Sequence, residues 1–201
     1  MNATRHQSVE YTAEVAWIKY LDGQSRLPLE ISFADVRDPK RVYILRMALT
    51  ESMKWTRFSF RDLAVNKGLM RNADRLHSRF KVEPENMVMP TILVTMTEFD
   101  WQYTLRKFVL DHLVRYDEGK CGIDSVQIGV KSNNQKRFFK NECGLINIVN
   151  IKPSFKNTPI LGCWHKHCRV VSFPCPATEA RTMAMQLKIQ RDGQRKDNSM
   201  E

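Results

Sequence analysis

The chain has 201 residues, 42% apolar and 27% charged, which suits one good hydrophobic core and excludes wholesale disorder, collagen-like repeats and a disulfide-scaffold toxin. Its 32 Lys and Arg against 22 Asp and Glu give a formal net charge of +10, a balance that favours anionic partners such as nucleic acid or acidic lipid headgroups. No apolar run approaches the roughly 18 residues of a spanning helix, and Met1 to Tyr20 mixes Arg5, Glu10 and Glu14 with apolar side chains, unlike a signal peptide. The expected setting is therefore intracellular, in cytoplasm or nucleus.

In chain order, Val9, Tyr11, Ala13, Val15 and Trp17 alternate with polar residues, and Leu27, Leu29, Ile31 and Phe33 alternate again beyond Asp22-Gly23. Period-two patterns around an Asp-Gly turn predict a β-hairpin. Asp38-Pro39, followed by Val42, Leu45, Leu49 and Met53 at helical spacing, predicts a helix of about four turns. Ser59 with Asp62 three residues on opens another, Gly68 is a candidate stop, and Leu69, Ala73, Leu76 and Phe80 carry the helical period onward. Thr91 to Met96 is apolar and β-branched, a buried strand by its composition. Trp101, Leu105, Phe108, Val109, His112, Leu113 and Tyr116 mark the most regular amphipathic helix, closing at Asp117-Glu118-Gly119. Val126, Ile128 and Val130, the turn-like Ser132-Asn133-Asn134-Gln135, Phe138-Phe139 and Leu145 to Ile151 predict a second hairpin or meander, with a further strand or two in 160–173. Ala180, Met183, Ala184 and Leu187 predict a short terminal helix. The whole reads as a single compact α+β domain over 1–190: an N-terminal β-hairpin, cationic helices, one long amphipathic helix, a C-terminal β-meander, then a loose tail at 191–201.

Positive charge is unevenly placed. Residues 37–81 carry a net +8 and 119–176 a net +7, separated by an acidic stretch, 82–118, at −4. Lys67, Arg71, Arg75 and Arg79 recur every fourth residue, which on a helix makes one cationic ridge, with Arg37, Arg41, Lys54, Arg57 and Arg61 as neighbours. Each phosphate such residues neutralise would add a salt-dependent increment to binding. The second basic region, Lys131, Lys136, Arg137 and Lys140, interleaves with Phe138 and Phe139, and an exposed aromatic beside cations can stack a base or wedge into a lipid interface. The alternation of strand faces favours one of these rings in the core and one half exposed. The acidic helix at 98–118 is the candidate self-association surface.

The five cysteines, odd in number, read as thiols or metal ligands. Cys163, His165, Cys168 and Cys175 could together supply four donors to a zinc ion, although their spacing matches no standard finger. Catalytic motifs are absent: there is no phosphate-cradling glycine loop, His-Glu-x-x-His or Gly-x-Ser-x-Gly. An enzyme reading would need Cys143, His165 or Asp111 to converge in one pocket.

An N-terminal strand region, a cationic stretch (Arg41-Val42-Tyr43-Ile44-Leu45-Arg46), a strand, an aromatic helix (Trp101-Gln102-Tyr103-Thr104-Leu105-Arg106) and a hydrophobic stretch from Ile123 to Ile151 follow one another over residues 9–155. In order and character this resembles the matrix proteins of rhabdovirus-type negative-strand RNA viruses. The resemblance implies a non-enzymatic virion protein that condenses a ribonucleoprotein, binds an anionic membrane surface electrostatically and self-associates as a homo-oligomer. No PPxY motif is present, so no membrane-release partner is implied. The alternative expectations are a nucleic-acid-binding regulator, of silencing-suppressor or transcription-factor type with a zinc-stapled C-terminal lobe, and a small enzyme acting on nucleic acid.

Overall fold

The structure, a computed structural model, describes residues 8–19, 26–48, 84–152, 161–163 and 175–197. The two strands of the expected hairpin are present, while its Asp22-Gly23 turn lies outside the described residues. β1 (Tyr11–Lys19) pairs antiparallel with β2 (Arg26–Asp35), with a bulge at Ala16/Trp17.

Residues 42–47 depart from expectation, forming β3 (Val42–Met47) rather than a helix. The reason is two-sided burial: Val42 and Ile44 face one core cluster, Tyr43 and Leu45 the other. A sheet interior wants a continuous β-branched and aromatic run, and the helical spacing of Val42 and Leu45 is incidental to it. The remainder of that expected helix, and those expected over 59–80, lie outside the described residues.

Beyond a two-residue strand β4 (Met87–Val88), β5 (Ile92–Met96) pairs parallel with β3. It is an edge strand whose side chains alternate between half-buried and exposed before Met96, not the buried strand its composition suggests. The amphipathic helix is α1 (Trp101–Phe108), prolonged by a wider π turn through Val109–Leu113. Gly119, with φ of 72°, turns the chain away after Glu118.

The expected meander is replaced by a parallel crossover. β6 (Ile128–Val130) and β7 (Ile148–Asn150) run parallel, joined by the helical segment α2 (Asn133–Arg137) and a π turn, Phe138–Glu142. The residues Ser132-Asn133-Asn134-Gln135 carry a helix start as well as a turn: the Ser132 hydroxyl accepts from the Gln135 amide at 3.2 Å and so caps α2. Gly129 fits this register because a Cβ there would stand 3.0 Å from side-chain carbons of both Ile151 and Val9. After β8 (Gly162–Cys163), which pairs with β4, the last helix α3 spans Pro176–Asp197. It is far longer than the short helix expected, and it takes in much of the expected tail.

The sheet order is β5-β3-β2-β1-β6-β7, with β2 alone opposing the other five strands. The result is the expected α+β class, with helices on both faces. One face buries Tyr11, Ala13, Ile31, Phe33, Tyr43 and Leu45 against Leu105, Phe108, Phe138 and Phe139. The other buries Val9, Ala34, Val36, Val42 and Ile44 beneath Ala177, Ala180, Met183, Ala184 and Leu187 of α3. Small residues on α3 let the helix lie close to the strands, and the Thr12 hydroxyl reaches the Ala180 carbonyl at 2.6 Å. Each fully buried phenylalanine contributes about 1.5–3 kcal/mol by leaving water.

Candidate nucleic-acid interface

Of the expected cationic surface, Lys54, Arg57, Arg61, Lys67, Arg71, Arg75 and Arg79 lie outside the described residues. The others do not form one face. Arg37 and Arg41 follow β2, at the edge of the sheet where β1 begins, whereas Lys131, Lys136, Arg137 and Lys140 follow β6 at the edge toward which the parallel strands run.

Arg37 is occupied, its guanidinium gripping both carboxylate oxygens of Glu118. Glu118 is held below the usual carboxylate range by that bond. The same edge pairs Arg115 with buried Asp35 at 2.8 Å and Lys120 with Glu10, so its acids and bases largely satisfy one another.

Lys131 is also turned inward, contrary to its expected place on the surface. Its ammonium group sits 3.2 Å from Glu14 and 3.0 Å from Glu179, tying β1, the end of β6 and the first turn of α3 together. Glu14 accepts a further bond from the Gln135 side chain, and burial pushes its carboxyl up from 4.5 to about 7 despite the nearby lysine. On β2, directly across from Glu14, Ser32 donates to Glu30 at 3.1 Å.

Lys136, Arg137 and Lys140 remain. They make no ion pair among the described residues, and Arg137 and Lys140 are exposed. The rings expected between them are absent from the surface: Phe138 and Phe139 are both fully buried, because a helical turn, unlike a strand, can send two successive side chains to one side. Phe138 lies at the centre of a stack, with Trp101 5.8 Å away at 8° and Trp17 5.6 Å away at 24°, and Arg26 covers the Trp17 ring at 4.8 Å.

Exposed aromatics occur instead at the neighbouring helix: Phe99, in the turn before α1, is 88% exposed and Tyr103, on α1, 71% exposed, and α1 meets the end of the Phe138–Glu142 π turn where Gln102 donates to the Glu142 carbonyl at 2.8 Å. The Arg106 guanidinium lies over Gly144, whose φ of 68° favours glycine and whose missing side chain leaves that room. The sequence does carry a signal for this surface. With Trp101, Leu105 and Phe108 inward, Tyr103 and Arg106 fall on the opposite stripe at helical spacing.

The expected zinc site is not assembled among the described residues. His165 and Cys168 lie outside them, Cys175 is buried beside α3, and no group of three or more metal-ligating side chains occurs among those described. Of the enzyme candidates, Cys143 and Asp111 are described. Burial pushes the Cys143 thiol well above its ordinary range, Asp111 is exposed and bonded to Lys107 at 2.7 Å, and His165 lies outside the described residues. No described helix is long and apolar enough to cross a membrane.

No family model matches the chain, and no solved structure matches it. An 81-residue stretch is 33% identical to the mitochondrial glutamyl-tRNA(Gln) amidotransferase subunit of Dictyostelium discoideum. That stretch is 40% of this chain, and the match spans 15% of the relative's length. This coverage transfers no activity.

Proposed function

We propose that this chain is a non-enzymatic basic protein that binds the phosphate backbone of RNA. The observation that supports this best is the way its charges are partnered. Glu10, Glu14, Asp35, Asp111, Glu118 and Glu179 each face a cation, while Lys136, Arg137 and Lys140 have no such partner among the described residues. Because those six acids are taken up by other cations, these three are left to act on the surroundings, and backbone phosphates are the anions that reward a cluster of that kind. In its matrix-like form the protein also self-associates through the acidic stretch at 98–118 and meets anionic membrane surface by the same electrostatics.

The test is binding of the full chain to RNA across a salt series. Replacing Lys136, Arg137 and Lys140 together by Ala should flatten the log-log salt slope by about 2, at roughly 0.7 for each single-strand phosphate no longer neutralised. Salt-insensitive binding, or a slope untouched by the triple substitution, would remove this surface from the function.

A further inference from the structure

Of the residues of α2, which include Lys136 and Arg137 of the proposed phosphate site, Gln135 alone has a buried side chain. How α2 sits on the sheet therefore depends on what Gln135 meets, and it meets a carboxyl: its Nε2 donates to Oε1 of buried Glu14 on β1. The other ends of the two groups, Gln135 Oε1 and Glu14 Oε2, are buried as well, and neither has a hydrogen-bond partner. Both atoms only accept when Glu14 is ionised, so two oxygens are left unsatisfied at one contact. Lys131 does not relieve them. Its ammonium stands 3.2 Å from Glu14 Oε2 without the alignment of a hydrogen bond, and donates to Glu179 at 3.0 Å.

One proton supplies what both oxygens lack. A carboxylic acid and a carboxamide already joined at one end close at the other when the acid keeps its proton, Glu14 Oε2 donating to Gln135 Oε1, and the pair then holds two reciprocal hydrogen bonds. Ionised, the carboxylate turns a bare oxygen toward the amide oxygen, and the second bond is lost. Burial favours the neutral acid and raises it to about 7, so this proton is exchanged across neutral pH. The described groups facing Glu14 come from every element around it: Lys131 beyond β6, Gln135 of α2, Glu179 of α3, and on β2 Ser32, whose hydroxyl donates to Glu30, itself opposite Arg46 of β3. Lys131, despite its partial burial, is held above its ordinary range by the two carboxylates and stays charged throughout.

We infer that Glu14 and Gln135 form a proton-operated latch: the protonated pair clamps α2 to β1, and loss of the proton loosens the turn that carries Lys136 and Arg137. The latch is closed below neutral pH and opens as pH rises through it. A seated α2 presents its cations in one arrangement, whereas a loosened one has to be ordered again when an anion binds, so affinity for a polyanion falls as the latch opens. That last consequence rests on the phosphate-binding reading above; the latch itself does not.

The experiment measures amide hydrogen exchange of residues 133–137 in the full chain at pH 6 and pH 8, corrected for the intrinsic rate, with the amides of Ile31 and Phe33 on β2 as the report of global opening. Wild-type protection of 133–137 should fall about tenfold between the two pH values, beyond any change on β2. Glu14→Gln carries a permanent donor in place of the proton and should keep its protection at both. Gln135→Leu, which cannot close the pair, should show no such difference either. On the same samples, wild-type affinity for a 12-nucleotide RNA should fall about threefold more than that of Glu14→Gln. Protection that is equal at both pH values, that falls as steeply in Glu14→Gln, or that falls only in step with β2 would overturn the latch. Protection that responds while wild type and Glu14→Gln lose RNA affinity alike would overturn its link to the cations. A chain that binds no RNA at either pH would overturn the phosphate reading, and the exchange result would still decide the latch.

Discussion

Glu14 makes the stability of this fold depend on pH in a direction opposite to that of most paired carboxylates. Its carboxyl titrates near 4.5 when unfolded and near 7 when folded, chiefly through burial, with Lys131 pulling the other way. The folded state therefore holds this proton more tightly. Its contribution is fully present below about pH 4.5 and is lost as pH rises through 7. At 1.36 kcal/mol per pH unit the loss between those limits is about 3 kcal/mol, a large share of a typical domain's stability. The assay is urea denaturation followed by circular dichroism at pH 5, 6, 7 and 8, on wild type and Glu14→Gln. The amide keeps the shape and carries no charge, so the variant should lose less stability than wild type between pH 5 and 8. Taking the difference cancels the carboxylates that both proteins share. Identical pH profiles would refute the reasoning, because Glu14 would then ionise in the fold as easily as in the unfolded chain.

Two further substitutions probe the packing. Gly129→Ala should destabilise by about 1–3 kcal/mol in denaturant titration, because the added carbon meets Ile151 and Val9 at 3.0 Å within a closed core, and an unchanged midpoint would show that those neighbours yield freely. Arg115→Ala leaves Asp35, whose side chain is 3% exposed, without its 2.8 Å partner and should cost about 3–5 kcal/mol, with Asp35→Asn recovering part of that loss in the double variant.

How far the sequence can be read depends on whether a local pattern has one structural solution. The β1–β2 hairpin has one, since strict alternation about Asp22-Gly23 suits nothing else. Val42 to Met47 admits two, and the choice of strand over helix is made by β2 on one side and β5 on the other, neither of which is local. Ser132 to Gln135 is equally at home in a turn or a helix cap, and that ambiguity separates the parallel crossover from the expected meander. In the candidate interface, net charge and its blocks are legible, but partnership is not. Nothing around Lys131 in sequence announces Glu14 or Glu179, and the burial of both Phe138 and Phe139 depends on their lying in a helical turn rather than a strand. Tyr103 is visible in helical phase, opposite the apolar residues that define the helix.

The docking of α3 has a consequence for how this protein comes to be folded. Thr12 is held by Ala180, Val9 by Arg191, and β1 pairs with β6, so the earliest strand depends on residues far along the chain. Contacts of such long sequence separation form late and slowly. A ribosome will have released residues 11–35 well before 176–197 exist, and until then one whole face of the sheet stands open. During that interval the nascent chain is a natural client for chaperones, and the race between capture of α3 and strand-to-strand aggregation sets the yield of native protein.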